Sequence, residues 1–347
     1  MKKAIFILLF FLFFTLTASA SVEENINEVK DNWDKDGRIS SAVEGNLYDF
    51  LKLVKDNIFS YKDIIKNGAY LSLVAVVAAI SRGFKGKIGG SGSLDFAVAA
   101  AVVSLSLIPG MEAVKALGSF LRAISSFLTA FAPVYAGIEA ASGKVISAGE
   151  SAYFLLALSS IISAVTGAVV IPLLSLYLCL SSLSGVFSGV DITPFCEGIK
   201  KITNVILGLF SSLFSGFLVL KATVSQSADS VALRGIKFAA GNLFPVVGGA
   251  LSEAISSAGG YLGVIKNSFG VFGIGVIFFT FLPLAANILL WIICLWIANS
   301  VAAAVGEESM VRSTKALIST FSLLWSISGI FFLLSVISIG ISIVGGK

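Results

Sequence analysis

Long apolar runs separated by short polar segments occupy the chain from residue 67 onward. Such runs are longer and more uniformly apolar than the buried face of a soluble helix, and about 20 apolar residues suffice to cross a bilayer. The pattern therefore predicts an all-α fold, a polytopic membrane helix bundle over residues 67–347. Candidate spans are 68–81, 94–110, 120–138, 151–171, 172–190, 202–220, 268–298 and 316–344.

Two uncharged stretches are longer than one crossing requires. No Asp, Glu, Lys or Arg lies between Glu150 and Asp191, and a helix of that length would reach about 60 Å, against about 30 Å of hydrocarbon. We expect the chain to fold back near Pro172, since proline interrupts a helix. The uncharged stretch from Asn267 to Gly306 contains Pro283. It fits either one kinked span or a helical hairpin.

Residues 111–138 differ from the other runs because charged residues interrupt them. These are Glu112, Lys115 and Arg122, with Glu139 directly following. Ala, Leu and Phe fall on one side of the helical period, which is typical of a helix that lies along the membrane surface. We expect this segment not to cross the bilayer.

The amino terminus has the three parts of a secretory signal. Lys2 and Lys3 precede an apolar run over residues 4–16, and Ala18 and Ala20 form a small-x-small cleavage site. We therefore predict a signal peptide over residues 1–20, cleaved after Ala20. An uncleaved membrane anchor is the alternative, although the run is short for a span.

Residues 21–66 form the one predominantly polar stretch, with ten acidic and seven basic residues. A segment that follows a signal and has a net negative charge is expected outside the cytoplasm, and the basic residues Arg82, Lys85 and Lys87 place the next loop inside. Apolar residues recur at helical spacing from Leu47 to Tyr61. We predict an extracytoplasmic amphipathic helix there.

The segment 221–266 is too polar for a simple span and too apolar for a free loop. Charged residues near membrane depth are unfavourable unless they pair or face water, and Gly and Pro interrupt regular helix. This pattern predicts a re-entrant or pore-lining element, or alternatively an interfacial amphipathic helix with snorkelling charges. The candidate conduit or partner residues are Asp229, Arg234, Lys237, Pro245, Gly248 and Gly249.

Small residues at four-residue spacing occur within the apolar runs. Small residues allow helix backbones to approach each other closely. Close packing matters in lipid, because the hydrophobic effect does not drive helices together there. Packing within the chain is one interpretation and self-association into a homo-oligomer is the other. The residues concerned are Gly185 and Gly189, and Gly259 and Gly263.

Composition excludes several classes of function. Of the 347 residues, 56% are apolar and 13% are charged, too little charge to cover a water-facing surface. A net charge of +4 does not favour nucleic-acid binding. Histidine is absent, and Cys179, Cys196 and Cys294 show no metal-binding spacing. We expect no enzyme activity, no cofactor and no metal site.

The run VSQSADSVALRGIKFAAGNLFPVVGGALSEAI, residues 224–256, resembles the stage III sporulation protein AE family of endospore-forming bacteria. The remainder of the chain is similar to that family in layout. The resemblance implies a multi-pass protein of the mother-cell membrane, facing the forespore. It also implies membership of a channel complex, related in part to secretion systems, that meets a forespore membrane partner and is required for late forespore gene expression. The family has no catalytic residues to transfer.

A stand-alone secondary transporter of a small solute is the alternative. Such transporters show matching Gly- or Pro-interrupted segments in two related halves of the chain. The sequence contains no convincing pair of this kind, and this favours a subunit that works through assembly with the lipid bilayer and other membrane proteins.

Overall fold

The computed structural model describes residues 24–34, 39, 61–85, 91–183, 192, 194–212, 214–216 and 248–344. Within these ranges every regular element is a helix, so the predicted all-α class is confirmed. Residues 24–33 and 194–212 are helical. The other elements are α1 (Tyr61–Lys85), α2 (Ser91–Ala141), α3 (Val145–Val165), a π-helical segment (Thr166–Val170), α4 (Ile171–Leu183), α5 (Gly248–Ala304) and α6 (Glu308–Val344).

Two glycine turns divide the long helices into antiparallel pairs. Gly143 separates α2 from α3 at φ 83°, and Gly306 separates α5 from α6 at φ 74°. A side chain would be strained in this left-handed conformation, so glycine is favoured at both turns. Each turn ends its helix with the same two hydrogen bonds: the glycine N–H donates to the carbonyl three residues back, and the next N–H donates to the carbonyl five residues back. These bonds satisfy carbonyls that would otherwise lack partners where a helix ends.

Helix α5 packs against α1, α2 and α6. Aromatic side chains fill the contacts along its length. Phe269 stacks on Phe131 of α2 with centroids 4.7 Å apart, and Phe281 stacks on Phe332 of α6 at 4.4 Å. The core of the described bundle is therefore built from large rings that interlock on three helices.

Residues 111–138 are not the separate segment that the sequence suggested. They continue the helix that begins at Ser91, so 94–110 and 120–138 belong to one element, α2. Leu117, Leu121 and Leu128 have no exposed surface, because α3, α5 and α6 pack against this part of the helix. The apolar face identified in the sequence packs against protein rather than lipid.

The predicted turn at Pro172 is also wrong. The chain runs through α3, the π-helical segment and α4 as one continuous helical stretch, Val145–Leu183. A proline cannot donate a hydrogen bond and clashes with the carbonyl four residues before it. The π-helical segment Thr166–Val170 ends two residues before Pro172. The backbone turn of a π-helix is wider than that of an α-helix, and this accommodates the proline without a reversal of the chain.

At Pro283 the structure selects one of the two alternatives. α5 is a single helix of 57 residues with Pro283 inside it, not a hairpin. It begins at Gly248, so residues 248–266 of the predicted semi-polar segment are its first turns. Residues 221–247 lie outside the described part of the chain.

Four of the described helices are long and apolar enough to cross a membrane. They cover Phe96–Ala141, Val145–Leu183, Gly260–Ala304 and Glu308–Ile343, and the shortest has 36 residues. A helix of that length measures about 54 Å, so each extends well beyond about 30 Å of hydrocarbon. The apolar part of α1, Ile64–Ala78, is shorter. Two of the predicted divisions between candidate spans are therefore wrong, because 94–110 and 120–138 lie in one helix and 151–171 and 172–190 share one continuous helical stretch.

The described part of the polar amino-terminal region packs on the bundle. In the helix at residues 24–33, the Trp33 ring lies 5.2 Å from the Phe127 ring of α2. Lys30 Nζ lies 5.9 Å from the centre of the Phe272 ring of α5. The predicted signal with Ala18 and Ala20, and residues 47–60 of the predicted amphipathic helix, lie outside the described residues.

Gly273 marks a contact where α5 approaches α2 too closely for a side chain. A Cβ at this position would lie 2.7 Å from Phe131 Cε2. Phe131 is completely buried and stacks on Phe269, so the ring has little room to move. Gly329 in α6 offers a control, because a Cβ there would meet nothing within 4 Å.

We predict that Gly273→Ala destabilises the protein by about 1–3 kcal/mol through overpacking, although Ala favours helix. Gly329→Ala is expected to leave stability unchanged or raise it by up to about 1 kcal/mol. Thermal unfolding of the detergent-solubilised protein, followed by circular dichroism, measures both. Equal midpoints for the two variants would contradict the packing described at Gly273.

Candidate functional site: a buried ion pair and the polar face of α2

An ion pair between α2 and α5 is buried inside the described bundle. Lys266 Nζ of α5 lies 2.9 Å from Glu139 Oε1 near the end of α2, and the two side chains are 3% and 1% exposed. The antiparallel arrangement of α2 and α5 brings the last turns of one beside the early turns of the other. The pair therefore fixes the register between the two helices at this end of the bundle.

Tyr135 completes the cluster one helical turn before Glu139. Its side chain is fully buried, and Lys266 Nζ lies 5.6 Å from the centre of its ring, in cation–π range. Tyr135 Oη and Glu139 Oε2 have no hydrogen-bond partner among the described residues. The cluster thus holds a charged pair in apolar surroundings with part of its bonding capacity unused.

The energetics make this pair a constraint rather than a source of net stability. Removing two charges from water is costly, and their mutual attraction roughly offsets that cost when the geometry is good. Removing only one partner leaves an uncompensated buried charge. The pair therefore disfavours any packing of α2 on α5 that would separate Glu139 from Lys266.

Hydroxyl groups join other helices across the bundle. Ser159 Oγ of α3 donates to the Ser125 carbonyl of α2 at 2.8 Å and lies 2.6 Å from Thr129 Oγ1. Ser181 Oγ of α4 lies 2.9 Å from Thr320 Oγ1 of α6. These contacts show which parts of the four helices lie side by side.

A second polar feature, the α2 polar face, lies on the outside of the bundle. Six exposed residues follow one another in steps of three and four along α2, the spacing that keeps side chains on one side of a helix. Arg122 Nη2 donates to Ser119 Oγ at 3.2 Å. The residues of the α2 polar face are Glu112, Lys115, Ser119, Arg122, Ser126 and Thr129.

Most of the predicted conduit residues lie outside the described part of the chain. This applies to Asp229, Arg234, Lys237 and Pro245. Gly248 and Gly249 are the first residues of α5. The structure therefore leaves the re-entrant or pore-lining interpretation as a prediction.

The predicted small-residue contacts are only partly visible. Gly185 and Gly189 lie outside the described residues, and Gly259 belongs to α5. At Gly263 an added Cβ would meet nothing within 4 Å, so this glycine makes no close contact with the helices described here, and self-association stays a prediction. The close approaches occur instead at Gly68, Gly110, Gly118, Gly270 and Gly273.

Nothing in the sequence around Glu139, or in the semi-polar segment that ends at Lys266, indicates that these two residues pair. They are 127 residues apart, and helical spacing carries no information about partners at that separation. The one sequence feature that points to the pair is chemical. An acidic and a basic residue beside long apolar runs each require a partner. Had α2 been taken as a buried helix, that rule would have suggested such a pairing.

The described residues contain no group of three His, Cys, Asp or Glu side chains that could hold a metal ion. Cys179, Cys196 and Cys294 are free thiols. Cys196 lies in the helix at residues 194–212, where burial raises the pKa of its thiol. Because only the thiolate is a strong nucleophile or metal ligand, this environment does not activate Cys196.

The profile of the family described as stage III sporulation protein AE matches residues 25–346, which is most of the chain. The chain belongs to this family. The match includes the described helices and the 224–256 run on which the resemblance was based. It also includes all but the first residue of the helix at residues 24–33, which packs on the bundle through Trp33.

A curated relative supports the same assignment. The chain is 24% identical over 185 residues to stage III sporulation protein AE of Bacillus subtilis (strain 168). The aligned part covers 50% of this chain and 46% of the relative, so the match spans about half the length of each. No solved structure matches the chain. Membership of the family indicates a role in sporulation.

We predict that Glu139→Ala and Lys266→Met each lower the free energy of unfolding by about 3–5 kcal/mol, because each leaves its partner charged and buried. The double variant Glu139→Leu with Lys266→Met is expected to recover much of that loss, since no charge remains. Thermal unfolding of the detergent-solubilised protein measures all three variants.

An exposed ion pair provides the control. Arg312 Nη1 lies 3.9 Å from Glu308 Oε2, with the side chains 52% and 88% exposed, and such pairs contribute about 0–1 kcal/mol. Arg312→Ala should therefore barely move the unfolding midpoint. Strictly additive losses in the Glu139–Lys266 double variant would show that the two side chains do not interact as described.

Proposed function

We propose that this chain is a membrane-embedded structural subunit of a channel or secretion-like complex in the mother-cell membrane, required for forespore development. The observation that carries the proposal is the match of the stage III sporulation protein AE profile to residues 25–346. The chain would act through assembly with other membrane proteins of the complex, and through them with a forespore membrane partner.

The long apolar helices support a role within the membrane. Four described helices have the length and composition of spans. Between the glycine turns, cross-helix hydroxyl contacts and one buried ion pair hold them together. A bundle fixed in this way is suited to bracing an assembly, which requires no catalytic group.

A path for solutes along this subunit would involve the polar part of the segment 221–266. Asp229, Arg234 and Lys237 occur there within nine residues. Charges in such a setting are expected to pair with a partner protein or to face water. We therefore assign these three residues to a conduit wall or a partner surface.

We predict that Arg234→Ala and Asp229→Ala impair spore formation without preventing membrane insertion. Each variant would replace the chromosomal copy in an endospore-former. Spore counts and a reporter of late forespore gene expression measure function, and resistance of the variant to alkaline carbonate extraction measures insertion. Both variants are expected to remain in the carbonate-resistant membrane and to lower the reporter signal at least about tenfold, the factor given by 1.4 kcal/mol.

A tagged chain purified from sporulating cells tests the assembly directly. We expect other membrane proteins of the same developmental stage to co-purify in fixed proportion. Recovery as a solitary protein that binds a small solute would instead favour the stand-alone transporter. Arg312→Ala, which alters an exposed charge of α6 outside the conduit candidates, provides a matched control for the sporulation phenotype.

A further inference from the structure

Three polar side chains meet in the buried cluster between α2 and α5. Tyr135 and Glu139 are one helical turn apart on the same side of α2, and Lys266 of α5 lies against both of them. Their exposed fractions are 0%, 1% and 3% in that order. Any further group that bonds to all three must therefore be enclosed by the same packing.

Each of these side chains has hydrogen-bonding capacity that the described residues do not use. Tyr135 Oη and Glu139 Oε2 have no partner among them. Lys266 Nζ lies 2.9 Å from Glu139 Oε1, yet the approach does not have the angles of a hydrogen bond, so the ammonium hydrogens remain available. Buried polar atoms in native proteins are nearly always bonded, and those without a protein partner commonly bond to water or to an ion.

The charges of the cluster favour a neutral ligand. An anion would be attracted by Lys266 but would lie against the carboxylate of Glu139. A cation would be attracted by Glu139 but would lie against the ammonium of Lys266. Like charges at such distances repel strongly where bulk water is excluded. A neutral molecule that both donates and accepts hydrogen bonds meets neither repulsion.

Space and bonding pattern identify that neutral molecule as water. An added Cβ at Gly270 would lie 2.6 Å from Ile343 Cδ1 and 3.7 Å from Tyr135 Cε2, so α5 and α6 pack closely beside the tyrosine and favour a ligand of one heavy atom. Water can accept from Tyr135 Oη and Lys266 Nζ and donate to Glu139 Oε2. These are three hydrogen bonds, about the number that a buried water usually makes.

The cluster lies near one end of the described bundle. Glu139 precedes the turn at Gly143 by four residues, and the turn residues Ser142 and Lys144 are partly exposed. The stacked rings of Phe131 and Phe269 lie on the other side of the cluster, further from this turn. Water that enters beside the turn therefore reaches the cluster without passing through the aromatic core.

We propose that Tyr135, Glu139 and Lys266 bind one ordered water molecule, which accepts hydrogen bonds from Tyr135 Oη and Lys266 Nζ and donates to Glu139 Oε2. This water supplies the bonds that the carboxylate and the ammonium do not obtain from each other, and so it belongs to the contact that sets the register of α2 on α5. The site depends on packing within one chain and not on a conduit or a partner.

Tyr135→Phe tests the site through the sign of its effect on stability. The variant keeps the ring beside Lys266 and removes only the hydroxyl. If the hydroxyl bonds to the water, its loss leaves the water without one partner, and the unfolding midpoint of the detergent-solubilised chain should fall by about 2 °C. If the hydroxyl is buried without a bond, its removal relieves a cost of desolvation. An unchanged or higher midpoint would therefore overturn the proposal.

Tyr153→Phe is the matched control for this measurement. Tyr153 lies on α3 and is 68% exposed, so water replaces any bond that its hydroxyl loses. The control variant is expected to unfold at the wild-type midpoint.

Hydroxyl-radical footprinting distinguishes a bound water from a protein group that pairs with Tyr135. X-ray radiolysis produces radicals from ordered waters as well as from bulk solvent, so a buried side chain is oxidised when a water lies beside it. Tyr177 provides the comparison, because it is 3% exposed and its hydroxyl bonds to Ser319. We expect Tyr135 of the folded full-length chain to be oxidised faster than Tyr177. Equal protection of the two tyrosines would show a cluster without water and would overturn the proposal.

Discussion

Hydrocarbon offers no hydrogen bonds, and this constraint accounts for the placement of the polar groups described in the bundle. Most hydroxyls of the long helices donate to a carbonyl of the preceding turn. Ser338 Oγ donates to the Leu334 carbonyl at 2.6 Å and Ser342 Oγ to the Ser338 carbonyl at 2.9 Å. A helix as rich in serine as α6 is thus compatible with apolar surroundings, because its own backbone satisfies the side chains.

Polar side-chain contacts between the described helices are fewer, and some of them tie together elements that are distant in sequence. The contact between Ser181 and Thr320 joins α4 to α6, and the ion pair of Glu139 with Lys266 joins α2 to α5. The fit of apolar side chains, as between Gly273 and Phe131, favours one helix register over another in lipid. Polar contacts add to this preference, since a shifted register would leave their members unpaired.

Hydrophobic patterning predicted the all-α membrane class but not the lengths of the helices. A bilayer-length window divides any long apolar run into crossings, whereas the helices described here exceed the bilayer and continue past their prolines. At Pro172 the reason is local, because the π-helical turn at Thr166–Val170 relieves the clash that would otherwise end the helix. The pairing of Glu139 with Lys266 depends on tertiary packing, and no periodicity within either helix encodes it. The family could be recognised because the 224–256 run is distinctive, although most of that run lies outside the described residues.

The charged residues of α2 lie in two different environments. Near its end, Glu139 is buried and is matched by Lys266 of the same chain. Over the preceding turns, Glu112, Lys115 and Arg122 are exposed, beside stretches of α3 and α4 that carry no charge. These three charged groups are therefore open to the surroundings of the bundle, whereas Glu139 is enclosed and depends on a partner from the same chain.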